Sequence, residues 1–262
     1  MTEERTTGFD ADKEKEFLNS LVQDYTDSSP YSEIKKAIIV RLMLDRIPNK
    51  EGVGLQFGCA NGFESALLAE HLRKLDVVDG STLFIEKLRK EAGRGNIEYH
   101  CALFEHFNKD STGVTYDYLS CNYIMEHVYE TDVVLRSIRS LMHKDSLLFV
   151  TVPNANALSR RLALAMDLIP ALDALTENDH RHGHRRTYTF ESIKNEVRAA
   201  GFEIMEELGV VFKILADFQL NKLLRDGFLN EGHIQGLQRL ATQPENVDFS
   251  DSIFLVLRRT AD

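Results

Sequence analysis

From Val53 onward, short apolar runs alternate with stretches of helical periodicity, and this alternation constrains the fold more than any other feature. The strand-like runs are Val53–Phe57, Leu75–Val78, Ile97–Ala102, Tyr116–Cys121, Ser146–Val152, Phe202–Leu208 and Ser252–Leu257. Between them lie helical patterns over Glu64–Lys74, Thr82–Ala92, Asp132–Met142 and Phe190–Ala200, the last closed by Gly201 as C-cap, and a polar, partly helical stretch over Ile214–Thr242. Strands separated by helices of ten to twelve residues build βαβ units, because a parallel neighbour is reached only by a crossover. The sequence therefore predicts an α/β fold: a seven-stranded, mostly parallel sheet with helices on both faces.

Two regions depart from the alternation. The first residues, to about residue 12, read as a disordered tail, followed by N-terminal helices within 13–47. Phe17, Leu18, Leu21 and Val22 fall at helical spacing; Ile34, Ala37, Ile38, Arg41 and Leu42 form one face of a second helix, which Pro48 closes. Tyr25 and Tyr31 are placed to close over a ligand or to pack. The second region, 155–189, follows the fifth strand as an insertion: a helix over Leu158–Leu175 broken at Pro170, then a segment crowded with histidine and arginine from His180 to Arg186. Residues 13–262 thus make one domain with a helical cap.

Composition narrows the function. Lys and Arg total 31 against 41 Asp and Glu, a net charge of −10, which argues against duplex DNA as a partner, since that affinity comes from neutralising phosphates. No apolar run approaches the length that spans a bilayer, and the polar, acidic N-terminus lacks the apolar stretch of a secretory signal. Cys59, Cys101 and Cys121 sit apart in apolar runs, as reduced thiols do; the expectation is a cytoplasmic protein without membrane partners.

The first strand runs into Gly58-Cys59-Ala60-Asn61-Gly62, a turn of small residues that lets a ligand lie against the backbone; the same residues also serve tight strand-to-helix packing. Asp79 ends the second strand seventeen residues after Gly62, where an acid can accept hydrogen bonds from ribose hydroxyls. A dinucleotide fingerprint would need a further glycine, and Phe63 and Ser65 stand there instead. Leu55 to Gly62, Val77-Val78-Asp79-Gly80-Ser81, Tyr116-Asp117-Tyr118, Met125-Glu126-His127-Val128, Thr151-Val152-Pro153-Asn154, Gly183-His184-Arg185-Arg186-Thr187-Tyr188 and Ala199-Ala200-Gly201-Phe202 occur in order. Together they resemble the class I S-adenosylmethionine (SAM)-dependent methyltransferases over roughly Lys50–Arg259, in the branch with an L-E-H-V motif that includes ubiquinone-pathway O-methyltransferases and natural-product enzymes.

The resemblance implies a Rossmann-like fold and SAM as cofactor, held by Gln56, Gly58, Ala60, Gly62, Asp79, Gly80, Leu103, Phe104, Asn122 and Tyr123. Gln56 stands where the family has Asp and Ala60 where it has the middle Gly, so the charge beside the methionine ammonium is lost. Leu103-Phe104 replaces Asp-Ala near the adenine. SAM brings its own electrophile, so the protein must bind, orient and deprotonate. His127 is the first candidate for the base and His184 the second, their side chain titrating in the useful range. Glu126 orients the histidine or holds a cation, and Glu126, Arg185 and Tyr188 are expected at the acceptor. For His180, His182 and His184 three readings stand: a solvated loop, an anion-facing lid, and a metal site on one side of an extended segment. No metal is required by the reading. The insertion, with Arg160, Arg161, Leu162, Leu164 and Leu168, caps the substrate or forms a homodimer contact. The expected activity is methylation of a small molecule at oxygen, or at nitrogen, a sugar or secondary metabolite fitting the capped pocket. A catalytically weakened binding or scaffold protein and an RNA methyltransferase are the alternatives.

Overall fold

The computed structural model describes residues 10–22, 29–91 and 95–261. The tail to residue 9, the break at 26–28, Tyr25 and the helix end at Ala92 lie outside them. The elements in chain order are α1 (Ala11–Ser20), α2 (Pro30–Leu44), β1 (Val53–Phe57), α3 (Phe63–Ala69), β2 (Lys74–Asp79), α4 (Thr82–Glu91), β3 (Ile97–Cys101), α5 (Lys109–Thr112), β4 (Tyr116–Asn122), α6 (Thr131–Ser140), β5 (Met142–Pro153), α7 (Leu158–Ala165), α8 (Glu177–Arg181), α9 (Phe190–Ala199), β6 (Phe202–Val210), α10 (Asp217–Arg225), α11 (Glu231–Ala241) and β7 (Ser252–Arg259).

The seven strands lie in the order β3-β2-β1-β4-β5-β7-β6. All neighbours are parallel except β7, which runs antiparallel to both β5 and β6. The apolar runs of β1, β2, β4 and β5 are continuous because both faces of the sheet are covered. One face packs Val134, Leu135 and Ile138 of α6 and Ile193 and Val197 of α9. The other packs Ile38, Ile39 and Met43 of α2, Leu68 of α3, Ile85 and Leu88 of α4, Leu220 of α10 and Ile234 of α11. Strand order reverses between β1 and β4, so a crevice opens at their carboxyl ends, where sheets of this kind take ligands.

Several boundaries differ from the sequence reading. Helix α1 begins at Ala11, inside the expected tail, because Asp10 caps it by accepting hydrogen bonds from the Asp12 and Lys13 amides. Helix α2 buries Tyr31, Ile38, Ile39, Val40 and Met43. Of the expected face, Ile38 is buried and Ile34 and Leu42 pack against the same core, but Arg41 is exposed and pairs with Asp45; the helix buries Ile39, Val40 and Met43 as well because it is wedged between α3 and α10. In the insertion, the helix stops at Ala165 instead of Leu175; Asp167 takes positive φ and Leu168 points to solvent. The segment expected to be extended winds up, because Thr176 and Asp179 form a capping box that starts α8. His180 is thus helical and His182 is its C-cap, so the three histidines do not share one side. A parallel bridge between Asn154 and Tyr188 returns the insertion to the end of β5.

Candidate active site

The turn after β1 is built to come close to a ligand. Gly58 and Gly62 both have φ of +75°, and Ala60 has φ of 42°. This left-handed backbone is costly for residues with a side chain. Gln56, buried in β1, braces the turn from below: its amide donates to the Gly58 carbonyl (2.9 Å) and its oxygen accepts from the Ser65 hydroxyl (2.7 Å). Gln56 therefore supports the loop without a charge. Asp79 is 8% exposed. One of its oxygens accepts from the Cys59 amide (3.0 Å) and thiol (3.2 Å), the other from the Ser81 amide (2.8 Å). A carboxylate has about four acceptor directions, so one remains for a ribose hydroxyl. Gly80, beside it, has no room for a side chain because Leu18 of α1 and Leu103 press on it. Phe104 follows in a short 3-10 turn after β3, edge-on to Phe57 (5.5 Å between centroids).

At the end of β4, the Asn122 amide donates to Glu64 (2.7 Å) and its oxygen accepts from Thr151 (2.7 Å). Burial pushes the Glu64 carboxyl up to about 6 against the hydrogen bond from Asn122 and the charge of Lys36. Tyr123 has φ of 56°, and its hydroxyl meets Ser252 at 2.9 Å. Lys35 lies over the Tyr123 ring and is tied to Asp251 (3.0 Å), which also binds Lys213 (2.8 Å).

The next turn gathers buried titratable groups. Glu126 is 1% exposed, neither of its oxygens has a hydrogen-bond partner among the described residues, and burial pushes its carboxyl up to about 8. His127 Nε2 lies 3.9 Å from Glu126. Burial, and then the neighbouring His184, push His127 down to about 3. The two histidine rings stand edge-to-face with centroids 4.7 Å apart. His184 Nδ1 lies 3.2 Å from Asp179. Burial opposes ionisation of Asp179, but hydrogen bonds from His184 and Thr176 hold its carboxyl well below the usual range.

The cap segment is fastened to this turn backbone to backbone. The Arg185 amide donates to the Glu126 carbonyl (2.8 Å) and its guanidinium to His127 O (2.6 Å). Arg186 donates to the carbonyls of Met125 (2.8 Å) and Val128 (2.5 Å). Tyr188 was expected at the acceptor; it is instead buried in the core, where its hydroxyl donates to Met125 O (3.3 Å) and braces the turn from behind. Arg185 also binds Glu14 of α1 (2.8 Å), and its guanidinium lies 5.0 Å from the Phe17 ring centroid and 5.4 Å from that of Tyr129. Asn19 accepts from Ser81 (2.8 Å), so α1 bridges the β2 end and the cap segment. A cleft of about 390 Å³ opens there, lined by Glu14, Phe17, Tyr129, His180, His184 and Arg185 among others. Glu126, His127 and His184 each offer a donor atom within 4.8 Å of the others, a set able to hold a cation.

The structure thus brings together the residues expected at the turn, at Asp79, at the β4 end and at the two histidines. Three contributors carried weaker signals. Asp179 is announced only by the Thr-x-x-Asp capping pattern, Glu64 stands unremarked in a helical first turn, and Glu14 belongs to a helix whose partner lies far along the chain.

Residues 31–207 match the model of a methyltransferase-domain family. That span is most of the chain. The protein belongs to this family, the class I SAM-dependent methyltransferases, and SAM is its cofactor. The ubiquinone biosynthesis O-methyltransferase of Coxiella burnetii is 29% identical over 104 residues, 39% of this chain and 44% of the relative; the chain spans less than half the length of the curated relatives it matches. Among solved structures, a SAM-dependent methyltransferase from Anabaena variabilis superposes with a TM-score of 0.61 at 16% identity, covering 99% of both chains. The N-methyltransferase NodS of Bradyrhizobium japonicum, solved with S-adenosylhomocysteine, gives 0.58 at 12% identity, over 93% of this chain and 98% of its own. These likenesses establish the fold. The site suits the cofactor on its own chemistry: a close-approach turn, an acid with a free acceptor direction at the end of β2, apolar Leu103 and Phe104 beside it, and polar Asn122 and Glu64 at the far end.

Proposed function

We propose that this protein methylates a hydroxyl, or an amine, of a small molecule that enters by the cleft between α1 and the cap segment, and that His184 is the base. The observation that carries this reading is the Asp179–His184 pair at 3.2 Å, whose histidine faces His127 and lines the cleft. When bound, SAM supplies an electrophilic methyl group, and transfer to a hydroxyl or amine frees one proton for the protein to take. A histidine oriented by an ionised carboxylate suits that task, because the carboxylate fixes the tautomer and stabilises the imidazolium that forms. His127 is the poorer base, since burial disfavours its charged form; it remains neutral and serves as a hydrogen-bonding wall. Glu126 retains its proton at neutral pH and offers that wall a donor instead of a second negative charge. Phe17 and Tyr129 line the same cleft, and a planar acceptor would stack there beside Arg185. Localisation in the cytoplasm fits this role, and among the described residues no helix is long and apolar enough to cross a membrane.

The test is a panel of phenolic, sugar and amine acceptors with methyl-labelled SAM, run with the wild type and with His184→Ala, Asp179→Asn and His127→Gln. A product whose new methyl is located by mass spectrometry settles oxygen against nitrogen. The proposal expects His184→Ala to lose roughly a hundredfold in kcat and His127→Gln much less. The reverse order would transfer the role to His127.

A further inference from the structure

Gln56 is uncharged where the family resemblance implies an acid beside the ammonium of the cofactor, and nothing at that position can replace the charge. Both ends of the Gln56 amide are occupied, by Gly58 O and by the Ser65 hydroxyl. Another carboxylate stands two residues beyond the turn. Glu64 lies in the first turn of α3, and one of its oxygens accepts from Asn122 at the carboxyl end of β4. Strand order is β2-β1-β4, so Asp79 and Glu64–Asn122 flank the glycine turn on opposite sides. Neighbouring strands are about 4.8 Å apart, which separates the two flanks by on the order of 10 Å. A ligand with a diol at one end and a cationic amino group at the other spans that gap.

We propose that Glu64 supplies the negative charge that strand β1 lacks and binds the α-ammonium group of the cofactor, with Asn122 holding its carboxylate in place. The inference rests on the assignment of SAM as cofactor. A Glu64 carboxylate set in a half-buried site beside a protein amide costs desolvation, and an ammonium ligand relieves that cost while Asn122 alone does so only in part. Lys36 of α2 donates to Asn61 (3.3 Å) and faces the same carboxylate, so the bound ammonium shares Glu64 with a fixed cation. The arrangement places the acid eight residues further along the chain, on the helix instead of the strand, and leaves the turn itself braced by neutral groups.

Calorimetric titration with S-adenosylhomocysteine and with 5′-methylthioadenosine, which lacks the amino-acid end, tests the proposal. Glu64→Gln should weaken S-adenosylhomocysteine roughly tenfold or more, as expected for loss of a charge-assisted hydrogen bond, and leave methylthioadenosine unchanged. Gln56→Asp/Glu64→Gln, which returns a carboxylate to β1, should regain affinity. In the wild type, an S-adenosylhomocysteine analogue without its α-amino group should lose about as much as E64Q does, a measurement that needs no variant to fold. Equal weakening of both nucleosides by E64Q, unchanged affinity for S-adenosylhomocysteine, or full affinity of the amino-free analogue would overturn the role of Glu64. Absence of binding by either nucleoside to the wild type would instead overturn the cofactor assignment on which it rests.

Discussion

Glu126 and His127 are adjacent in sequence and perturbed in opposite directions, and the consequence for stability is measurable. His127 is pushed down to about 3 from an ordinary value of 6.5. Below about pH 6.5 the unfolded chain therefore binds a proton that the folded chain refuses, and stability falls as pH falls. Glu126 is pushed up to about 8 from 4.5. Between those values the folded chain holds a proton that the unfolded chain has released, so stability rises as pH falls. Each pKa unit corresponds to about 1.4 kcal/mol. From about pH 6.5 to about pH 5, the two contributions are each on the order of 2 kcal/mol and of opposite sign, and in the wild type they cancel. Replacing either residue by its neutral analogue exposes the other. Relative to wild type over the same interval, His127→Gln should gain about 2 kcal/mol and Glu126→Gln should lose about 2 kcal/mol. Urea unfolding of the three proteins at both pH values, analysed for midpoint and slope, reads the difference directly, and all other titrating groups drop out of the comparison. Parallel pH dependence in the two variants would refute the argument, as would slopes of the same sign.

Three further outcomes follow from the contacts around the site. Gly62→Ala places a side chain at φ +75° with its Cβ 2.5 Å from Leu88 Cδ2; thermal unfolding should report a loss of about 1–2 kcal/mol, together with weaker S-adenosylhomocysteine binding, and an unchanged melting temperature would contradict the turn geometry. Arg185→Ala removes the partly buried pair with Glu14, worth about 1 kcal/mol, so amide exchange in α1 should speed up roughly fivefold while β1 and β4 keep their protection. Asp179→Asn keeps the shape of the capping box but not the charge beside His184; kcat should fall and KM for SAM should stay near the wild-type value, and a loss confined to KM would place Asp179 outside the proton transfer.

The fold was legible because its signal is local. Continuous apolar runs at Val53–Phe57 and Tyr116–Cys121, set among helical patterns, need only sequence neighbours to declare a covered parallel sheet. The cofactor half of the site was legible for the same reason, since Gly58, Gly62 and Asp79 sit at strand ends where the backbone itself is read. What stayed hidden depends on contacts between distant segments. The buried face of α2 is only partly legible because a helix wedged between two others buries more than one stripe, and Arg41, which the spacing puts beside Ile38, is left in water. The histidine segment was misjudged because an alternating spelling suggests an extended chain, while the Thr176–Asp179 box supplies the hydrogen bonds that start a helix there.

The same box explains why His184, rather than His180 or His182, is the histidine paired with Asp179. Winding residues 177–181 into a helical turn leaves His180 on α8 and His182 at its end, and Gly183, at φ +78°, reverses the chain. His184 is then drawn back against Asp179, the very residue that caps the helix start, while the Arg185 amide docks on Glu126 O. One carboxylate thus serves as cap and as orienting partner, and the cap segment delivers its histidine to His127 as a by-product of closing its own helix. Rank among neighbouring histidines is therefore set by backbone hydrogen bonding, and side-chain type alone carries none of that information.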